Sequence, residues 1–241
     1  MSSCEILPFS ATLPDTVIFD LDGTLVDSAP DLTGALNATL ATLSLAPIPE
    51  DEVRHMVGQG VRKLLERGLE AHARPMNSAG LDALSAVFVD YYAAHVADHS
   101  RPFPGVVATL RWLSARGVKL GVCTNKPEAL ARQLIAALDL GQFIPPLAIL
   151  GGDSLTVKKP DGRHIIATVE ALGGDLDRTV MVGDSAADSN AGRDAGIPVI
   201  LVSFGYTPIP ARELDPEAVI DHFNELPATL TRVLDRHRAR A

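Results

Sequence analysis

The stretch Val17-Ile-Phe-Asp-Leu-Asp-Gly-Thr-Leu-Val-Asp-Ser28 (VIFDLDGTLVDS) decides how the rest of the chain is read. It opens as a continuous apolar run, the composition of a strand buried on both faces. Two acids one residue apart, Asp20 and Asp22, stand where such a strand ends. Residues two apart on a strand face the same way, so both carboxylates can meet one ligand. Like charges held close repel, and a metal, a shared proton or a transferred group has to offset them. Gly23 follows and allows the backbone a sharp departure.

Working outward, TVMVGD (179–184), VKLGVCTN (118–125) and IPVILVS (197–203) are further continuous apolar runs, with LAIL (147–150) and AVI (218–220) as weaker ones. Helical patterns cover 127–140, 163–172, 186–195 and 223–236. This alternation predicts an α/β fold: a Rossmann-like parallel sheet with helices on both faces, binding its ligand beyond the carboxyl ends of the strands. Four segments bring polar side chains to that edge. They are Asp20 and Asp22, Thr124 and Asn125, Lys158-Lys159-Pro160, and Asp184 with Asp188 in the helix that follows. An Asp before a helix is usually a cap and a Lys usually solvated. Their joint occurrence at four strand ends favours one site.

Residues 29–101 interrupt the alternation. DLTGALNATLATL, EDEVRHMV, GVRKLLERGLEAH and GLDALSAVFVDYYAAHVADH all have helical period, and no strand is evident among them. The expected organisation is a catalytic core of 1–28 and 102–241 with a small all-helical cap, 29–101, inserted after the first strand. Prolines at Pro30, Pro102 and Pro104 mark its limits. His95 and His99 have the spacing of a helical metal pair but lack a third ligand, and they read as a solvated face. Tyr91, Tyr92 and Trp112 read as packing residues, and Asp27 as part of the turn into the cap.

The net charge of −9 over 241 residues argues against nucleic acid as a partner. No apolar run reaches the ~18 residues of a membrane span. The start, MSSCEILPFS, has neither a basic opening nor a long apolar core, so no leader is expected and the protein is read as cytoplasmic. The two cysteines, Cys4 and Cys123, form no disulfide framework, and Cys123 sits in an apolar run as a packing residue.

The segments DLDGTLVDS, VCTNK, KKP and GDSAADSNAGRDAG resemble, in order, the four motifs of the haloacid-dehalogenase-like phosphatase superfamily. VGQGVRKLLERGL, RPFPGV and VSFGYTP are similar to the bacterial phosphoglycolate phosphatase family within it. The resemblance implies an enzyme in which Asp20 attacks phosphorus and becomes an aspartyl phosphate, while Asp22 protonates the leaving oxygen and later activates water. It implies Mg²⁺ as cofactor, held by the Asp20 carboxylate, the Asp22 carbonyl and the Asp184 carboxylate. It assigns the phosphoryl oxygens to Thr124, Asn125 and Lys159, with Lys158 as the rival lysine, and gives Asp188 a supporting role toward the metal shell or Lys159. One departure from the common pattern is Gly162, where many relatives carry proline, and it bears on the stiffness of that loop.

The substrate implied is a small phosphorylated metabolite, 2-phosphoglycolate, taken by a monomer or homodimer. Another phosphatase, a pyrophosphatase or a sugar-phosphate mutase of the superfamily is the alternative. A receiver-like signalling module also gathers acids around Mg²⁺, but it is about half this length and lacks the Asp-x-Asp-Gly-Thr arrangement. Within the cap, Arg54, Arg62, Lys63 and Arg67 face only Glu66 in the local sequence, so some are expected to be free. Gln59, in the turn Gly58-Gln-Gly60, and Arg62 beside it are the expected contacts to the leaving group.

Overall fold

Continuous apolar runs become strands buried on both faces in the computed structural model, which describes residues 13–238. Cys4 and the N-terminal stretch read for a leader lie outside the described residues. The chain runs through β1 (Thr16–Phe19), β2 (Val26–Asp27), α1 (Ala29–Ala41), α2 (Glu50–Arg54), α3 (Val61–Ala71), α4 (Ser78–Ala94), β3 (Arg101–Pro102) and α5 (Val106–Ser114). It continues through β4 (Lys119–Cys123), α6 (Glu128–Ala137), β5 (Ile149–Leu150), α7 (Gly162–Ala171), β6 (Thr179–Gly183), α8 (Ala186–Asp194), β7 (Val199–Val202), β8 (Ala218–Ile220) and α9 (Leu226–Arg238).

Six strands form one parallel sheet in the order β5-β4-β1-β6-β7-β8. Its side chains alternate between two apolar layers, as a strand period of two requires. Val17, Phe19, Val122, Val182 and Val202 meet the layer that contains Leu110 of α5, Leu134 of α6 and Leu230 of α9. Ile18, Cys123, Met181 and Leu201 meet Ile165 and Val169 of α7 and Ala191 of α8. The first layer continues into the inserted helices through Leu32, Leu36, Leu65 and Phe88, so sheet and insert share one apolar core.

The insert departs from expectation in three places. β2 and β3 pair antiparallel, Val26 with Pro102 and Asp27 with Arg101, so the chain leaves and re-enters the core through one short ribbon. A two-residue strand containing proline carries no sequence signal. α2 ends at Arg54, ahead of the turn at Gly58-Gln-Gly60, and does not extend to Val57. α4 ends at Ala94, so His95 and His99 do not share a helical face. His95 Nδ1 lies 2.8 Å from Asp98 Oδ2, and the backbone N–H of His99 donates to the Asp31 carboxylate at 3.0 and 3.1 Å. Buried Asp31 also accepts from the Ser100 N–H at 2.7 Å and its hydroxyl at 2.6 Å, which ties the first turn of α1 to the returning chain.

Gly162 has a physical reason. Its N–H donates to Asp194 Oδ2 at 2.7 Å, and a Cβ there would stand 2.5 Å from the backbone nitrogen of Ala195. Proline has no N–H to give, so this loop is held by a hydrogen bond and not by a ring. Among the described residues no helix is long and apolar enough to cross a membrane.

Candidate active site

Strands β4, β1 and β6 lie side by side, with Phe19 level with Val122 and Val182. Their carboxyl ends therefore deliver Asp20, Thr124 and Asp184 to one edge. Carboxylate oxygens of Asp20, Asp184 and Asp188 all lie within 4.8 Å of one another, and all three residues are buried. Burial pushes Asp20 up to about 6 against the pull of Lys159, and burial together with Asp188 and Asp20 pushes Asp184 well above the usual carboxylate range. Such a cluster is calling for positive charge.

Lys159 supplies part of it. Its ammonium is 2.6 Å from Asp188 Oδ1 and 3.0 Å from Asp20 Oδ1, and the residue is 2% exposed. Burial opposes that charge, but Asp188 and Asp20 outweigh it and raise the lysine above its ordinary value. Lys158 points elsewhere: its ammonium donates to the Gln59 carbonyl at 3.2 Å. Both oxygens of Asp188 are engaged. Oδ1 takes Lys159, and Oδ2 accepts the N–H groups of Asp184 at 3.2 Å and Ser185 at 3.0 Å, with the Ser185 hydroxyl at 2.7 Å. Asp188 thus pairs with Lys159 and caps the start of α8.

Asp184 Oδ2 accepts the Tyr206 N–H at 2.7 Å, and Oδ1 lies 3.4 Å from the Thr24 hydroxyl. Gly23, at φ +83°, passes so close that a Cβ would sit 2.5 Å from Asp184 Oδ2. The donor set is therefore oxygen only, buried, short of positive charge and approached by bare backbone. It fits a small hard divalent cation.

Asp22 is not among the clustered acids. Its carboxylate accepts the Ser28 hydroxyl at 2.5 Å and the Lys126 ammonium at 3.0 and 3.2 Å. Lys126 in turn donates to the Tyr92 hydroxyl at 2.9 Å. Burial works against the Lys126 charge, but Asp22 and Tyr92 raise it above the usual lysine value. Sequence reasoning missed both partners. Lys126 stands in VCTNK without a role that the motif assigns, and Tyr92 reads from sequence as a packing residue. The available signal was a lysine directly after a polar strand end.

A cavity of about 30 Å³ opens onto Asp20 and Asp22, between the β4–α6 turn and the inserted helices. Thr124 and Asn125 line it, both buried. Asn125 Nδ2 donates to the carbonyls of Gly58 and Lys159, each at 3.1 Å, and its buried Oδ1 has no protein partner. The expected free cations of the cap are engaged. Arg54 grips Asp27 through two bonds at 2.9 and 3.0 Å, Lys63 takes Glu66 at 2.9 Å, and Arg67 takes the Met56 carbonyl at 2.7 Å. Arg62 is bonded to Asp82 and to the Ser78 hydroxyl, with Glu66 3.7 Å away. Gln59 and Arg62 line a neighbouring groove of about 460 Å³ with Lys158 and Lys159, and do not line the cavity facing Asp20. The sequence pairs these arginines only with neighbours four residues away, whereas Asp82 and Asp27 come from other elements. Asp27 also accepts the Tyr206 hydroxyl at 2.7 Å, so it is a bridge between insert and core. Cys123 is buried, and burial pushes its thiol up to about 12, as a packing residue requires.

A parallel sheet that gathers acids, a lysine and small donors at its carboxyl edge under a helical insert defines a hydrolase of one family. Residues 17–202 match the sequence model of the haloacid dehalogenase-like hydrolases, and the chain belongs to that family. It is 51% identical over 212 residues to the phosphoglycolate phosphatase of Caulobacter vibrioides, covering 88% of this chain and 89% of that one. With the phosphoglycolate phosphatase of Agrobacterium fabrum it shares 44% identity over 233 residues, covering 96% and 99%. Among solved structures, a predicted phosphoglycolate phosphatase from Haemophilus somnus superposes with a TM-score of 0.82 at 29% identity, over 90% of this chain and 98% of that one.

Proposed function

We propose that this protein is a Mg²⁺-dependent phosphomonoester hydrolase that converts 2-phosphoglycolate to glycolate and phosphate through an aspartyl phosphate on Asp20. The observation that carries the reading is the separation of the two opening acids. Asp20 belongs to the charged cluster with Asp184, while the Asp22 carboxyl is held apart by Ser28 and Lys126 and faces the cavity. One carboxylate is thus placed to attack and the other to move a proton.

In this mechanism an Asp20 oxygen bonds to phosphorus as the bond from phosphorus to the leaving oxygen breaks, and Asp22 gives that oxygen its proton. Water then attacks the aspartyl phosphate, Asp22 takes the proton back, and phosphate leaves. The Thr124 hydroxyl, the Asn125 backbone N–H and Lys159 hold the phosphoryl oxygens, while both hydrogens of Asn125 Nδ2 go to the Gly58 and Lys159 carbonyls. Mg²⁺, held by Asp20, Asp184 and the Asp22 carbonyl, would neutralise the charge gathered there. Residues 29–101 act as the lid that excludes bulk water. The names carried by the Caulobacter and Agrobacterium relatives support the choice of substrate.

The test is phosphate release by purified protein against a panel of small phosphomonoesters, with Mg²⁺ and with chelator. Hydrolysis of 2-phosphoglycolate in preference to the panel, lost with chelator, is expected. Equal rates across the panel, or activity indifferent to chelator, overturn the proposal.

A further inference from the structure

We propose that Lys126 is the specificity-determining residue of this site, selecting substrates that carry an anionic group two bonds beyond the leaving oxygen. The inference rests on the phosphatase reading above and deepens it. Among the described residues lining the cavity over Asp20 and Asp22, Lys126 is the one cation. Most of the wall is apolar, from Leu32, Val61, Leu64, Phe88 and Leu130. An anion entering that cavity has no other countercharge on its walls, and an unpaired buried charge is costly.

Position agrees with this role. Asp22 has to reach the leaving oxygen within one hydrogen bond, and the Lys126 ammonium is 3.0 Å from Asp22 Oδ1. A carboxylate attached through one methylene to the leaving oxygen therefore falls within reach of the same ammonium. Lys126 is not needed merely to hold Asp22, because the Ser28 hydroxyl already does so at 2.5 Å. The ammonium is itself kept in place by the Tyr92 hydroxyl at 2.9 Å and stands 4.3 Å from the centroid of that ring. A cation held in one place by Asp22 and Tyr92 is a preorganised partner for an anion. Arg62, the cation favoured by sequence, is bonded to Asp82 and Ser78 and lines the adjoining groove. The substrate's carboxylate and Asp22 thus share one ammonium.

Two measurements decide the matter. The first compares kcat/KM for 2-phosphoglycolate and for ethyl phosphate in wild type and in Lys126→Gln. Wild type should prefer the carboxylated substrate, and the variant should lose that preference by about 10- to 150-fold, the scale of one charged hydrogen bond. The second measures binding by calorimetry of 3-phosphonopropionate and propylphosphonate, which cannot be hydrolysed, to wild type and Asp22→Asn. With Asp22 no longer competing, affinity for the carboxylated phosphonate should rise several-fold relative to its uncharged partner. A wild type without preference overturns the phosphoglycolate reading and this inference together. A preference that survives in Lys126→Gln overturns only the role of Lys126. If Lys126→Gln does not fold, as its circular dichroism would reveal, an affinity ratio unchanged by Asp22→Asn overturns the inference by itself.

Discussion

Lys159→Met tests the electrostatics on which the site is built. The substitution keeps an unbranched apolar stem, with sulfur in place of one methylene, and removes the ammonium, which lies 2.6 Å from Asp188 and 3.0 Å from Asp20. The carboxylate oxygens of Asp20, Asp184 and Asp188 stand within 4.8 Å of one another, so each ionised pair repels by about 3.5 kcal/mol or more at an effective dielectric near 20. Some of that repulsion is relieved by protonation, since Asp20 and Asp184 are already raised. The remainder has the character of a buried ion pair stripped of one partner, a loss of about 3–5 kcal/mol. For a chain of this size the melting temperature shifts by about 2–4 °C per kcal/mol, so a drop of roughly 6–20 °C is expected. The assay is thermal unfolding followed by circular dichroism, first in chelator and then in millimolar Mg²⁺. The ion should raise the melting temperature of the variant more than that of wild type, because it meets a more negative cluster. A variant melting within about 3 °C of wild type in chelator, or equal stabilisation of both by Mg²⁺, refutes the assignment of Lys159 as the counterion of the cluster.

Asp20→Asn should abolish phosphate release and weaken the stabilisation by Mg²⁺, whereas Asp22→Asn should lose turnover but keep that stabilisation, since Asp22 offers the ion only its carbonyl. Paired melting curves and phosphate-release assays check both. His164 is buried behind Lys159, accepts its backbone N–H at 3.3 Å, and is pushed down to about 4 by burial and by that lysine's charge. Its folded value lies below the unfolded one, near 6.5, so the unfolded chain takes the proton first as pH falls. Stability should therefore drop by about 1–2 kcal/mol between pH 7 and pH 5 in urea titrations with Mg²⁺ present, and this component should vanish in His164→Gln. Tyr206→Phe should cost about 1–3 kcal/mol by chemical denaturation, because its hydroxyl accepts the buried N–H groups of Ser28 at 2.7 Å and Ala29 at 3.0 Å at the start of α1.

The sheet was legible because parallel strands covered on both faces leave continuous apolar runs, and 16–20, 118–125 and 179–184 correspond to β1, β4 and β6. Even the weaker runs, LAIL and AVI, fall on β5 and β8. The strand ends were legible for the same reason, since a polar residue after an apolar run marks where a strand leaves the core. What was hidden depends on packing between distant segments. Lys126 looks like an ordinary lysine at a helix start, and it becomes a buried cation through Asp22 of the first strand end and Tyr92, brought over it by α4. Arg62 looked free because Asp82 lies on another helix. The ribbon of β2 and β3 joins residues more than seventy apart in two-residue strands, too short for any periodicity.

The strand order also bears on how this chain comes off the ribosome. β1 is made first among the strands of the main sheet, yet it is flanked there by β4 and β6, whose residues Lys119–Cys123 and Thr179–Gly183 come much later. The helices α1 to α4, by contrast, find one another by Ala94. An apolar segment carrying both opening acids is therefore made about 100 residues before its first neighbour in the sheet and about 160 before both are complete. During that interval its strand edges are unpaired in the sheet, and slowing translation between Ala94 and Lys119 would lengthen the exposure.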